Sequence, residues 1–181
     1  MSAFNKTAFF YDKLVSFVYG SGLIEAQKLA VNHIQKQSKV LIVGGGSGKI
    51  LSFLPECQVV FVDSSDKMIK RAKQMRTQAT VQFITADIGQ VVLENQSFDV
   101  VVCPFFLDLL PAKDLIFVMQ KLKNVLNDNG ELICVDFNGS PKLLQHKILL
   151  QVMYLFFWLL GTIKICTYNN FWELLAAKFS Q

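Results

Sequence analysis

The sequence predicts an α/β fold in which a mostly parallel sheet is covered by helices on both faces. Short, continuously apolar segments of strand length alternate with longer segments whose apolar residues recur at helical spacing. A glycine-rich stretch, residues 44–48, directly follows the first strand-like segment. The length of 181 residues fits one domain. We therefore expect a single doubly wound domain over 1–181, with a helical cap (1–38), an α/β core (39–138) and C-terminal helices (139–181).

Each element has its own signal in the sequence. Helical spacing over 9–35 is interrupted at 20–22 by Gly-Ser-Gly, which predicts two helices. Five short apolar segments predict strands, at 39–43, 58–62, 81–84, 98–103 and 131–137. Helices are expected at 50–54, from the capping residue Ser64 or Ser65 to 78, at 112–126, and through most of 141–181. A turn is expected at 128–130, just before the fifth strand.

The composition excludes several classes of protein. Apolar residues make up 52% and charged residues 18%, which is unlike a disordered chain. The net charge of +4 comes from scattered basic residues, so no nucleic-acid partner is expected. The four cysteines form no C-x-x-C pair or Cys/His cluster, and we expect no metal site. No secretory signal is visible, which favours a cytoplasmic location.

The glycine-rich stretch is the first candidate binding element. Gly44, Gly46 and Gly48 follow the first strand, where glycine allows a tight turn and a close approach of the backbone to a ligand. A helix that starts behind such a turn offers its N–H groups to an anion. The alternative is a glycine-rich turn with no ligand. Lys49 stands where a dinucleotide-binding G-x-G-x-x-G motif would have its last glycine, which argues against a nicotinamide cofactor.

Two carboxylates follow the next two strands. Asp63 ends the second strand, where a carboxylate can accept hydrogen bonds from both hydroxyls of a ribose. It can instead cap the following helix, although Ser64 and Ser65 are available for that role. Asp87 follows the third strand and can accept from an adenine amino group, or it is a solvated turn residue.

Taken in order, these segments carry a resemblance that extends from about residue 10 to residue 179. The segments are Val40-Leu-Ile-Val-Gly-Gly-Gly-Ser-Gly48, Val62-Asp-Ser-Ser-Asp-Lys-Met68, Thr85-Ala-Asp87, Phe98-Asp-Val-Val-Val102 and Leu126-Asn-Asp-Asn-Gly-Glu-Leu132. This set resembles the class I S-adenosylmethionine-dependent methyltransferases. Phe10-Tyr-Asp12 is similar to the cap helix of the small-molecule branch, which includes quinone C-methyltransferases. The resemblance implies a Rossmann-like methyltransferase fold, S-adenosyl-L-methionine as cofactor, and methyl transfer to a small molecule.

The resemblance also implies which residues bind the cofactor. Gly44, Gly46 and Gly48 would line it, Asp63 would hold its ribose and Asp87 would read its adenine. Tyr11 would cover the methionine end. The other implied cofactor-binding residues are Gly45, Ser64, Met68, Ile88 and Cys103.

The sequence departs from the family pattern at three places. Ile42 stands where many members have an acidic residue that anchors the amino group of the cofactor. The segment 103–106, Cys-Pro-Phe-Phe, lacks the Asp or Asn that begins the corresponding motif in enzymes that methylate nucleic-acid bases. Because the sequence ends at Gln181, we expect no room for the antiparallel strand pair that closes the family's sheet, so that either the chain is shortened or the edge of the sheet is finished in another way. An uncovered edge of the fifth strand would favour self-association, with a homodimer as the expected form.

The acceptor site is expected to be apolar, and a general base is optional because the sulfonium already activates the methyl group. Phe105, Phe106, Leu107, Leu109 and Leu110 follow the fourth strand. Residues 148–163 form a second apolar stretch, which is too short to span a membrane. This stretch is interpreted as a core helix, a lid over the substrate or a dimer contact, and peripheral contact with a membrane surface ranks below these interpretations. The candidates for a catalytic side chain are Tyr11, Asp108, His146 and Tyr154.

Two other functions stay open at this point. One is a cofactor-binding protein of the same fold that transfers no methyl group, which Ile42 favours. The other is a nucleotide-dependent oxidoreductase, which Lys49 disfavours.

Overall fold

A computed structural model describes residues 22–135 of the chain, except Gln96, and shows a five-stranded sheet. The strands are β1 (Lys39–Val43), β2 (Gln58–Asp63), β3 (Thr80–Thr85), β4 (Phe98–Pro104) and β5 (Leu126–Val135). Their spatial order is β3-β2-β1-β4-β5, and every neighbouring pair is parallel. The predicted doubly wound α/β fold is therefore confirmed.

The order of the strands reverses direction at β1. From β1 the chain adds β2 and β3 on one side, then returns to place β4 and β5 on the other side. In such a sheet, ligands bind beyond the carboxyl ends of the strands, where connections leave the sheet in opposite directions. The carboxyl ends of β1 and β4 therefore mark the expected site.

Helices cover both faces of the sheet. The described helices are α1 (Gly22–Val31), α2 (Asp66–Ala72) and α3 (Ala112–Val125), with short 3₁₀ helices at Lys49–Phe53 and Leu107–Leu109. Because side chains alternate along a strand, Val40 and Ile42 of β1 face one core, with Val31, Ile50 and Ile69. The opposite core is formed by Leu41, Val43, Val101 and the α3 residues Leu115, Val118, Met119, Leu122 and Val125.

Two helices differ from the sequence prediction. Residues 49–53 form a 3₁₀ helix, and α2 ends at Ala72 although its apolar spacing continues toward residue 78. Beyond α2, Gln74 N–H donates to the Arg71 carbonyl and Met75 N–H to the Ala72 carbonyl, at 2.9 and 3.1 Å. These i→i+3 hydrogen bonds tighten the chain into turns and end the α-helix.

The fifth strand also differs from the prediction. The strand begins at Leu126, which pairs with Phe98 of β4. The next aligned pair is Val100 with Glu131, so that five residues of β5 correspond to two residues of β4 and the register shifts between these pairs. The expected turn at 128–130 lies inside this irregular part of the strand. The Asn127 side chain donates to Asp99 Oδ1 at 2.7 Å and so holds the start of β5 against β4.

Some predictions fall outside the described residues. These include the helices expected before residue 22 and after residue 140, the end of the fifth strand at 136–137, and the candidates Tyr11, His146 and Tyr154. Within the described part of the chain, every helix is too short or too polar to cross a membrane.

Candidate cofactor cleft

A cleft of about 160 Å³ opens at the carboxyl ends of β1 to β4. Its polar lining residues lie at or just after the ends of β1, β2 and β3, whereas the lining residues that follow β4 are all apolar. The lining residues are Val43, Gly44, Gly46, Val62, Asp63, Ser64, Ser65, Met68, Ala86, Asp87, Ile88, Phe105, Phe106, Leu109 and Leu110. The cleft thus lies where the reversal of the strand order predicts a ligand.

The glycine turn after β1 has three residues with positive φ, but they differ in their surroundings. Gly44, Gly46 and Gly48 have φ of +69°, +58° and +78°, a region that residues with a Cβ rarely adopt. A Cβ on Gly48 would lie 2.6 Å from the Ala72 Cβ, whereas a Cβ on Gly46 would meet no atom within 4 Å. Gly48 therefore permits close packing of the turn on α2, and Gly46 leaves open space in the cleft.

Asp63 joins the end of β2 to the glycine turn. Its Oδ2 accepts a hydrogen bond from Gly46 N–H at 3.0 Å, and its Oδ1 accepts from Ser65 N–H at 2.8 Å. Burial raises the pKa of the Asp63 carboxyl above its ordinary value, and the two backbone hydrogen bonds partly offset this effect. A carboxylate has about four acceptor positions, so each oxygen keeps room for one further donor.

Ser65 caps the start of α2, and the sequence predicted either Ser64 or Ser65 in this role. Met68 N–H donates to Ser65 Oγ at 3.4 Å, and Ser65 is only 1% exposed. The neighbouring Ser64 is exposed and lines the cleft. Ser65 therefore accepts the capping hydrogen bond, while the Asp63 carboxylate accepts from the N–H groups of both Ser65 and Gly46.

Asp87 lies in the loop after β3, at the rim of the cleft. Its Oδ1 accepts a hydrogen bond from Gly89 N–H at 2.7 Å, and its carbonyl accepts from Gln90 N–H at 2.9 Å. The following residue, Ile88, is 3% exposed and packs in the core beside α3. The loop is therefore a compact turn that presents one exposed carboxylate beside one buried aliphatic side chain.

The apolar wall follows β4. Phe105 has φ +53°, a conformation that costs about 1–2 kcal/mol for a residue with a Cβ. Its N–H donates to the Val135 carbonyl at 2.6 Å, which holds the strained residue against β5. The next side chain, Phe106, packs so closely on Gly44 that a Cβ there would lie 2.6 Å from the ring.

The structure brings most of the sequence-predicted binding residues together. Seven of them line the cleft: Gly44, Gly46, Asp63, Ser64, Met68, Asp87 and Ile88. Among the described residues, the wall of this cleft does not include Gly45, Gly48, Cys103 or the catalytic candidate Asp108. Gly45 and Gly48 are buried against Phe61 and Ala72 respectively, and Cys103 packs in the core beside α3. Ser65 lines the cleft although the sequence marked it only as a helix cap.

No metal-ligand cluster of three or more His, Cys, Asp or Glu side chains is present in the described part of the chain. The polar groups of the cleft are the glycine turn, Asp63, Asp87 and the two serines Ser64 and Ser65.

Fold and cleft together define a Rossmann-like α/β protein with a ligand site at the point where its strand order reverses. Residues 40–130 match the family described as Methyltransferase domain. This match extends over half of the chain, and the chain belongs to the methyltransferase domain family. The resemblance found in the sequence is therefore confirmed, and the oxidoreductase alternative is set aside.

Two curated relatives and one solved structure are similar to the chain. The carboxy-S-adenosyl-L-methionine synthase of Trichlorobacter lovleyi is 30% identical over 139 residues, which cover 70% of this chain and 56% of that protein. The ubiquinone/menaquinone biosynthesis C-methyltransferase of Ectopseudomonas mendocina is 29% identical over 154 residues, covering 77% and 59% respectively. The plantazolicin methyltransferase BpumL, solved in complex with SAH, has a TM-score of 0.65 at 18% identity, covering 98% of this chain and 74% of that one. This last likeness shows the fold, and the chain spans little more than half the length of the two curated relatives.

Proposed function

We propose that the protein binds S-adenosyl-L-methionine in the cleft and transfers its methyl group to a small, largely apolar acceptor. The observation that carries this proposal is the division of one cleft into a polar part and an apolar part. Asp63 and Asp87 belong to the polar part, and Phe105 and Phe106 belong to the apolar part.

The polar part fits an adenosyl group. Asp63 keeps acceptor positions for two ribose hydroxyls, and the open space at Gly46 lets a ligand lie directly against the backbone. Asp87 can accept from an adenine amino group while Ile88 and Met68 contact the faces of the base. One relative is named for the synthesis of carboxy-S-adenosyl-L-methionine and another is named as a C-methyltransferase, and both names support the same cofactor.

The apolar part fits the acceptor. When bound, the cofactor supplies a methyl group that its sulfonium makes electrophilic. The chain's own task is then to orient the acceptor and exclude water, which Phe105, Phe106, Leu109 and Leu110 can do. A general base is needed only for an acceptor of high pKa, and roles for Asp108, Tyr11, His146 and Tyr154 stay predictions. A quinol-type acceptor accords with the name of one relative.

Calorimetric titration with S-adenosylhomocysteine tests the cofactor assignment. Asp63→Ala should weaken binding by about 1.5–3 kcal/mol, the range for hydrogen bonds to a charged group. Asp66→Ala is the matched control, because Asp66 is exposed on the next turn and pairs with Lys70 at 2.7 Å. Equal affinities of the wild type and Asp63→Ala would show that Asp63 does not contact the ligand.

Transfer of labelled methyl groups tests the acceptor assignment. We expect faster transfer to a prenylated hydroxyquinol than to its unprenylated counterpart. Leu109→Ser should slow transfer without changing the affinity for S-adenosylhomocysteine, and the exposed Leu29→Ser serves as its control. Equal rates with the two acceptors would contradict an apolar acceptor site.

One observation favours a second candidate function, a binding protein of the same fold that transfers no methyl group. Ile42 is fully buried in the core that faces α1 and α2, where the family resemblance places an acidic anchor for the cofactor's amino group. S-adenosylhomocysteine binding with no methylated product from any acceptor would support this second function.

Three further expectations belong to the proposal. Cys57, Cys103 and Cys134 of the described residues form no disulfide, which accords with a cytoplasmic location. β5 is the last strand at its side of the described sheet, which accords with self-association to a homodimer. A single domain over the whole chain is tested by one cooperative unfolding transition.

A further inference from the structure

Lys121 is a half-buried residue of α3 whose ammonium group contacts the loop after β3. Its Nζ donates to the Gly89 carbonyl at 3.1 Å and to the Val91 carbonyl at 2.5 Å. Two of the three N–H donors of the ammonium group are therefore used on one short loop segment. The neighbouring Lys123 on the same helix is exposed instead.

The segment that Lys121 holds also determines the position of the Asp87 carboxylate. Gly89 donates its N–H to Asp87 Oδ1, and its carbonyl accepts from Lys121. One peptide segment thus connects the lysine to the carboxylate at the cleft rim. On either side of Gly89, Ile88 and Val91 are 3% and 8% exposed and pack on the core beside α3.

The electrostatics of the lysine agree with a role beyond packing. Burial lowers the pKa of Lys121, and the negative charge of Asp87 raises it. An apolar side chain would contact the same loop without this desolvation cost, but it would leave the Gly89 and Val91 carbonyls without their charged donor.

We propose that Lys121 is a positioning residue for Asp87, which it holds in place through Gly89 so that the carboxylate accepts from the amino group of the cofactor's adenine. This proposal rests on the proposed function of the cleft. It assigns the selection of adenine over other bases to a side chain outside the cleft wall.

Two ligands that differ at one position test this assignment. S-adenosylhomocysteine carries the adenine amino group, and its 6-deamino analogue, which has purine in place of adenine, carries a hydrogen atom there. The wild type should bind S-adenosylhomocysteine about tenfold more tightly or better, because the C–H group of the analogue offers Asp87 no hydrogen-bond donor. In Lys121→Met this ratio should fall to about two or below, chiefly through weaker S-adenosylhomocysteine binding.

Three variants separate positioning from simple stability. Lys121→Arg keeps the charge and the donors and should restore much of the ratio, and Lys123→Met should match the wild type. Lys121→Leu also removes the donors and replaces Lys121→Met if that variant does not fold, as judged by circular dichroism. Urea denaturation reports any general loss of stability.

The possible outcomes are distinct. A full ratio in Lys121→Met or Lys121→Leu, even with a lower free energy of unfolding, would overturn the positioning role and leave the proposed function intact. A wild type that binds neither ligand would overturn the proposed function and this assignment with it.

Discussion

Alanine substitutions in the glycine turn separate packing from ligand space. Gly48 and Gly46 both have positive φ, at +78° and +58°. The Gly48 Cβ would lie 2.6 Å from the Ala72 Cβ and 2.8 Å from the Ala72 Cα, while the Gly46 Cβ would meet nothing within 4 Å. Since the Ala72 Cα is backbone of α2, the contact at Gly48 is relieved only by moving the turn away from the helix.

The expected loss of stability follows from these contacts. A left-handed conformation costs an alanine about 1–2 kcal/mol, and this cost applies to both variants. Overpacking adds about 1–3 kcal/mol at Gly48 alone. We expect Gly46→Ala to lower the free energy of unfolding by about 1–2 kcal/mol and Gly48→Ala to lower it by about 2–5 kcal/mol.

Ligand binding should follow the opposite order. A methyl group on Gly46 would occupy the space in which the adenosyl ligand is proposed to lie, so Gly46→Ala should bind S-adenosylhomocysteine at least about tenfold more weakly. Gly48→Ala should bind with a smaller loss under conditions in which it is folded.

Urea denaturation and calorimetry measure the two effects separately. Gly22→Ala is the control, because Gly22 is exposed in α1 and a Cβ there would meet nothing within 4 Å. Equal stability losses at Gly46 and Gly48 would refute the packing argument. Wild-type affinity in Gly46→Ala would refute the placement of the ligand against the turn.

Two further predictions concern pH and the core. The affinity for S-adenosylhomocysteine should fall as the pH is lowered through the pKa of Asp63, which burial raises above 3.8, because protonation removes the negative charge of the carboxylate that accepts hydrogen bonds from the ribose hydroxyls. Calorimetry at stepped pH should show this fall in the wild type and not in Asp63→Asn. Matching profiles in the two proteins would contradict the prediction. Leu122→Ala should lower the free energy of unfolding in urea by about 2–5 kcal/mol, because the Leu122 side chain is fully buried. Leu29 is 65% exposed, so Leu29→Ala should change the free energy of unfolding by less than about 0.5 kcal/mol. Similar losses in both variants would show that the assigned core is wrong.

Strands β1, β2 and β4 were predictable because both of their faces are mostly buried. In β1, residues 40–43 are at most 1% exposed, so each of them had to be apolar and the strand reads as a continuous run. The start of β5 was not predictable in the same way. It depends on a contact between Asn127 and Asp99, which are far apart in the sequence.

The candidate site was predictable to the level of the strand ends. The order of strands and glycines placed Gly46, Asp63 and Asp87 at one edge, and the structure brings them to one cleft. Which glycine faces the cleft depends on the rotation of the turn, and the sequence pattern does not reveal that Gly48 packs on Ala72.

Cys103 and Lys121 illustrate two other limits. Cys103 lies on the same side of β4 as Val101, so side-chain alternation directs it into the core beside α3. The sequence pattern does not distinguish Lys121 from the other lysines of the predicted helices. Its two carbonyl partners become visible only when α3 packs against the loop after β3.

A crystal structure of the protein with S-adenosylhomocysteine measures the proposed cofactor site directly. We expect the ribose hydroxyls within hydrogen-bond distance of the Asp63 carboxylate, the backbone at Gly46 against the ligand, and the adenine with its faces against Ile88 and Met68 and its amino group at the Asp87 carboxylate. A ligand bound away from Asp63, or crystals in which saturating ligand leaves this cleft empty, would contradict the assignment.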